Sequence, residues 1–168
     1  MADARPENNA LVINALVARG YSIAVAESLT GGQLVAALVD VAGASATVSG
    51  GVVAYNTALK HSVLGVSASL LAARGAVDAE VARQMAVGVR TALAVDGRPA
   101  DVGLSTTGVA GPEEQDGQPV GTVFLGIAIG DRVESFELHL SGTRRDIQSA
   151  TVAAALTTLL GLLNEPQE

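Results

Sequence analysis

The sequence contains no cysteine and no tryptophan, two phenylalanines, two tyrosines, and one lysine against nine arginines. Without cysteine there is no disulfide, no thiolate metal site and no thiol nucleophile. Aromatics at 2% leave no platform on which single-stranded bases could stack. Positive charge is also scarce. Ten Lys and Arg against 17 Asp and Glu give a formal charge of −7, the wrong sign for a protein that neutralises nucleic-acid phosphates. A local basic site for one small phosphate remains compatible with that balance. Met1 to Ala10 is polar and carries no apolar signal core. The longest apolar stretch, 151–163, is interrupted by threonine and shorter than the roughly 20 residues a bilayer demands. The expectation is a soluble cytoplasmic protein with neither nucleic acid nor membrane as partner.

What the sequence does have is a large stock of small apolar residues. At 168 residues, 49% of them apolar and mostly Ala, Val and Leu, the chain fits one domain with a substantial core. Such side chains favour close packing of helices on a sheet. Pro6 to Gly20 reads as an amphipathic helix on Leu11, Ile13, Leu16 and Val17. Tyr21 to Ala26 reads as a strand, Gly31 to Val41 as a helix capped by Ser28 or Thr30, and Val48 to Tyr55 as a second strand. A short helix carries Lys60, and another spans Ser67 to Ala73. Asp78 caps a long helix whose Val81, Met85, Val89 and Leu93 share one stripe. Asp101 to Thr106 is a third strand. Gly121 to Ile129 and Val133 to Leu140 form a hairpin through Gly130-Asp131, and Thr143 to Leu163 is a final helix. Glu113 to Pro119 reads as an exposed loop with solvated acidic residues. The pattern predicts one α/β domain over 1–168, its core about 8–163.

Three glycine-rich turns are expected after the strands: Ser28 to Gly32, Gly50-Gly51, and Thr107 to Pro112. In open α/β sheets ligands gather at strand ends. Amides of Thr30, Gly31 and Gly32 at a helix N-terminus could receive a phosphate or an oxyanion. The sequence holds no G-x-x-x-x-G-K-[ST], no G-x-G-x-x-G and no G-x-S-x-G, so no phosphate loop, dinucleotide fold or hydrolase elbow is supported. His61 and His139 are 78 positions apart and read as structural or surface residues. Hard metal ligands cluster only in the loop of Glu113, Glu114 and Asp116, and neither a metal nor a cofactor is expected.

A serine activated by the sole lysine remains. Arginine cannot surrender its proton, whereas a buried lysine can become a neutral amine. For Lys60 to serve as a base its pKa must fall through burial or a nearby cation, for which Arg144 or Arg145 is available; Tyr55 could orient the amine or relay its proton.

Ala26-Glu27-Ser28-x-Thr30-Gly31-Gly32, Gly50-Gly51-Val52-Val53-x-Tyr55 with Lys60, Leu64-Gly65-Val66, Gly75-Ala76-Val77, Thr107-Gly108-Val109-Ala110-Gly111-Pro112 and Pro119-Val120-Gly121-Thr122-Val123 follow in the order of the CinA C-terminal family. The chain resembles a stand-alone member of that family, similar to its nicotinamide mononucleotide deamidases. The resemblance implies a three-layer α/β/α fold with a mixed central sheet flanked by helices. It also implies metal-independent hydrolysis of the carboxamide of nicotinamide mononucleotide to nicotinic acid mononucleotide and ammonia. By position it makes Ser28 the nucleophile, Lys60 its base and Tyr55 an assistant. Thr107, Gly108, Ala110 and Gly111 would line the site, and Arg144 would hold the phosphate or activate the pair. Ser45 is the second choice for nucleophile. The expected assembly is a homo-oligomer, with a dimer favoured.

Three departures from the family pattern stand out: Leu29 where Cys is common, Asn56-Thr57-Ala58-Leu59 before the lysine, and Ser141-Gly142-Thr143 before Arg144. The last removes an Asp that could orient Arg144. The rival reading is a non-catalytic nucleotide-binding or regulatory module linked to competence or DNA damage.

Overall fold

Side-chain size alternates along the first strand, and that alternation decides how the layers stack. In the computed structural model, which describes residues 6–166, β1 (Ile23–Glu27) is wholly buried. Successive strand residues point to opposite faces, so Ile23 and Val25 enter one core and Ala24 and Ala26 another. The sheet order is β2-β1-β3-β4-β5, with β2 (Val48–Val53), β3 (Val102–Gly108), β4 (Thr122–Ile129) and β5 (Arg132–His139). β2, β1 and β3 are parallel, and β4 and β5 are antiparallel. The mixed α/β sheet implied by the family resemblance is present. Part of the polar chain start, residues 1–5, lies outside the described residues.

On the Ile23 and Val25 face, Val12, Ile13 and Leu16 of α1 (Pro6–Arg19) join Leu34 and Leu38 of α2 (Gln33–Val39) and the inner stripe of α6 (Arg144–Leu163). The run judged too short to span a bilayer belongs to this 20-residue α6, which is long and apolar enough by composition to do so. Its stripe of Ile147, Thr151, Ala155, Leu156, Leu159 and Leu163 is buried in the core.

The other face packs against α5 (Ala79–Ala92), with α3 (Thr57–Ser62) and α4 (Ala68–Arg74) beside it. α5 lies so close that a Cβ on Gly103 would overlap the Ala86 carbonyl, and one on Gly126 the Ala82 carbonyl. The Ser105 hydroxyl donates to that Ala82 carbonyl at 2.7 Å. Asp78 caps α5 as the sequence predicts, and Val81, Met85 and Val89 are fully buried. Each such burial contributes roughly 1.5–3 kcal/mol.

Two sequence expectations need correction. Gly50 and Gly51 form no turn; they lie inside β2, where the register to β1 shifts between Ile23 and Ala24. Gly51 sits against Val35 with no room for a Cβ. The chain turns after β2 at 54–56. Nor does Ser28 or Thr30 cap α2, because Gly32 is its N-cap in the left-handed region and makes no side-chain cap.

Candidate active site

The first crossover, β1 to β2, leaves β1 on one side, and the second, β2 to β3, arrives on the other. The carboxyl ends of β1 and β3 therefore border the switch point where open α/β sheets hold ligands. Ser28 follows β1 directly, and the turn 109–112 follows β3. Between them lies a cavity of about 270 Å³ whose wall includes Ser28, Leu29, Tyr55, Gly108, Ala110, Gly111 and Arg144.

Ladder geometry brings the base to the nucleophile. The Ala54 N–H donates to the Glu27 carbonyl at 2.8 Å, which carries the β1–β2 pairing to the end of β1. α3 starts at once, with the Asn56 side chain accepting from the Ala58 N–H. One turn in, Lys60 points inward and is 1% exposed. Its Nζ donates to Ser28 Oγ at 2.8 Å and to the Ala54 carbonyl at 2.7 Å. Burial pushes the Lys60 pKa down to about 8, opposed by the negative charge of Asp116. Of the two devices the sequence offered for activating the lysine, burial and a nearby cation, burial operates.

Ser28 is 8% exposed and held from several directions. Its N–H donates to Thr106 Oγ1 at 3.4 Å, Thr106 Oγ1 is 2.8 Å from Thr30 Oγ1, and the Ser28 carbonyl accepts from Gly31 N–H at 3.2 Å. Gln148 on α6 donates to the Leu29 carbonyl at 2.9 Å.

The structure redistributes the other residues singled out by sequence. Gly108, Ala110, Gly111 and Arg144 lie on the cavity wall. Arg144 donates to the Gly111 carbonyl at 2.6 Å and to the Tyr55 hydroxyl at 2.9 Å. These partners orient it without the Asp missing from its approach. A capping box between Thr143 and Asp146 fixes Arg144 as the first residue of α6. Tyr55, 60% exposed, stands at the cavity mouth with its hydroxyl engaged by Arg144. Among the described residues, no hydrogen bond joins that hydroxyl to Lys60.

Thr30 and Thr107 are buried behind the wall. Thr107 Oγ1 donates to the Ala76 carbonyl at 2.6 Å, so both threonines support loops and do not line the cavity. Of the amides expected to receive an anion at α2, those of Gly31 and Gly32 are already taken. Glu27 Oε1 accepts from Gly32 N–H at 3.2 Å and Leu34 N–H at 2.8 Å, and Oε2 accepts from Val35 N–H at 3.0 Å. Gly31 N–H is used within its own turn. Ser45 lies in the short turn before β2, at the amino end of the parallel strands, in a separate groove with Ser22, Thr47 and Asp101. It belongs to the opposite end of the sheet from Lys60.

Sequence reasoning missed Glu27 and Thr106. The acidic loop is exposed as the sequence predicts, but its place at the cavity was not foreseen. Glu113, Glu114 and Gln115 wall the cavity. The Asp116 carboxylate turns back to accept from the Ala76 N–H at 3.1 Å and packs against Gly75. The two histidines stay outside the cavity. His61 Nδ1 is 2.7 Å from the Val66 carbonyl, and His139 lies 3.2 Å from Glu137 on β5.

Comparison with known proteins gives a consistent picture. The CinA C-terminal domain model matches residues 6–163. A CinA-like protein of Frankia casuarinae is 46% identical over 91% of this chain, and a putative competence-damage inducible protein of Bacillus pumilus is 42% identical over 90%. The chain spans only 34% and 35% of those two relatives. Among solved structures, the competence damage-inducible protein A of Klebsiella pneumoniae superposes with a TM-score of 0.88 at 36% identity. That match covers 96% of this chain and 98% of the other. A competence/damage inducible protein of Agrobacterium tumefaciens gives 0.87 at 33% identity, over 98% of each chain. With its sheet, its switch-point cavity and its motifs in this order, the chain belongs to the CinA C-terminal domain family.

Proposed function

We propose that the chain is an amidohydrolase that converts nicotinamide mononucleotide to nicotinic acid mononucleotide and ammonia through a Ser28–Lys60 pair. One observation carries this reading: a buried lysine with a depressed pKa stands 2.8 Å from the hydroxyl of a serine on a cavity wall. A neutral Lys60 keeps one N–H on the Ala54 carbonyl and turns its lone pair to the Ser28 hydroxyl. Ser28 Oγ then attacks the carboxamide carbon while its proton passes to Lys60. Collapse of the tetrahedral intermediate breaks the C–N bond, and the Lys60 ammonium gives its proton to the departing nitrogen, releasing ammonia. Water enters, loses a proton to Lys60 and cleaves the acyl ester, and Ser28 recovers its proton.

Arg144 is the cavity's fixed cation and suits the substrate phosphate, since guanidinium bonds to phosphate are charge-assisted. Binding at the α2 amides is set aside because Glu27 fills them. The working form we propose is a cytoplasmic homo-oligomer acting on this small molecule without nucleic acid or membrane.

The test is ammonia release from nicotinamide mononucleotide with EDTA present, comparing wild type, Ser28→Ala, Lys60→Ala and Lys60→Arg. Turnover by wild type alone supports the reading. Near-wild-type turnover by Lys60→Arg would refute it, because guanidinium cannot act as the base. Silence of all four with nucleotide still bound would support a non-catalytic binding module.

A further inference from the structure

The carboxylate of Glu27 is the buried ionisable group that the reaction above does not use. It is fully buried, immediately precedes Ser28, and collects three backbone N–H bonds from the first turn of α2. Burying a carboxylate is costly unless its oxygens are satisfied. An exposed Ser, Thr or Asp at the N-cap would satisfy a helix start without that cost. The sequence instead supplies the charge from inside the strand. The return of the chain needed to bring those amides back to Glu27 is made by Gly31 and Gly32, both left-handed at φ 58° and 99°.

Residues 27 and 28 share one peptide and point to opposite faces of the sheet end. Glu27 faces α2, while Ser28 faces Lys60 on α3. Immobilising one side chain therefore fixes the direction of the other. Thr106 fixes the Ser28 N–H, and Gln148 the Leu29 carbonyl. Of these three holds, Glu27 alone is charged and ties the turn to the following helix.

We propose that Glu27 is a positioning residue for the nucleophile: its clamp on the α2 amides holds the Ser28 turn so that Oγ stays on Lys60 Nζ. This rests on the amidohydrolase reading for its substrate, though not for its test. Glu27→Gln is the informative variant, because it keeps the size but presents an NH2 group to at least one amide that needs an acceptor. Glu27→Asp keeps the charge on a shorter stem.

The experiment measures the labelling rate of Ser28 by a fluorophosphonate probe, the phosphonylated residue being identified by mass spectrometry. Folded fraction is followed by circular dichroism and thermal unfolding, and kcat and KM are measured on nicotinamide mononucleotide. Glu27→Gln is expected to lower the labelling rate and kcat at least tenfold in folded protein. KM should stay within about twofold, since Arg144 and the wall from Gly108 to Gly111 are untouched, and the pH limb set by Lys60 should not move. Glu27→Asp should recover part of the rate. A folded Glu27→Gln that labels within twofold of wild type overturns the proposal, as does a loss accounted for wholly by unfolded protein. If wild type labels at Ser28 yet releases no ammonia from the nucleotide, the substrate reading fails while the clamp is still tested by the labelling rates. Ser28 that resists the probe in wild type and Lys60→Ala alike overturns both.

Discussion

In the proposed reaction Lys60 ties activity and stability to the same titration, and a pH series separates them. Burial holds its pKa near 8 against an ordinary 10.5, so the neutral amine makes up about one tenth of the protein at pH 7, half at pH 8 and nine tenths at pH 9. If the neutral amine is the base, kcat/KM for ammonia release rises about fivefold from pH 7 to 8 and about tenfold by pH 9, then levels. Stability changes over a higher window. Between pH 8 and 10.5 the unfolded chain binds more protons than the folded one, so stability rises with pH. The gain is on the order of 3 kcal/mol, the free-energy equivalent of a pKa lowered from 10.5 to about 8. Below pH 8 the lysine is protonated in both states and its contribution is flat. Ser28→Ala should abolish turnover yet keep most of the stability slope, whereas Lys60→Met should remove both. The assays are initial rates of ammonia release and urea unfolding from pH 6.5 to 10.5. A kcat/KM that is flat from pH 7 to 9 would refute the assignment of Lys60 as base. So would a limb that persists only above pH 10, because the lysine would then not be desolvated as its burial requires.

Asp116→Asn keeps an acceptor for the Ala76 N–H but removes the charge that raises the Lys60 pKa; the limb of kcat/KM against pH should move to lower pH, and an unmoved limb would show that the charge does not reach the lysine. Arg144→Met should raise KM for nicotinamide mononucleotide about tenfold, the value of one charge-assisted bond, and leave KM for the phosphate-free riboside near that of wild type. Ser45→Ala should leave kcat and KM within about twofold, since Ser45 lies at the amino end of the parallel strands. Gly103→Ala forces a methyl against the Ala86 carbonyl and should cost about 2–3 kcal/mol in urea unfolding, with full activity in the fraction that remains folded.

Features encoded over a few adjacent residues were legible before any coordinates. Asp78 announces α5 because its cap bonds reach only Glu80 and Val81. The Gly130-Asp131 hairpin and the buried stripe of Val81, Met85 and Val89 follow from turn chemistry and helical period. Lys60 stood out because a chain that otherwise uses arginine keeps its one ammonium there, and the structure places that ammonium against Ser28 across 32 residues. What sequence could not reveal depends on contacts between distant segments. Asp116 is the exposed acid that it reads as, but nothing near it in sequence shows that its carboxylate reaches back 40 residues to the Ala76 N–H. Thr106 reads as a β-former until its hydroxyl meets the Ser28 amide 78 residues away. Gly103 and Gly126 resemble strand weaknesses, although the approach of α5 requires them. Glu27 is the instructive exception, since its partners lie only five to eight residues on. Strand alternation already turned it away from Ser28, and the seven-residue α2 has no capping side chain at its N-cap. Those two facts together require an acceptor for the α2 amides, and the nearest side chain on that face able to supply one is Glu27. The expected anion site and the misassigned helix cap thus have one cause: the anion is part of the chain.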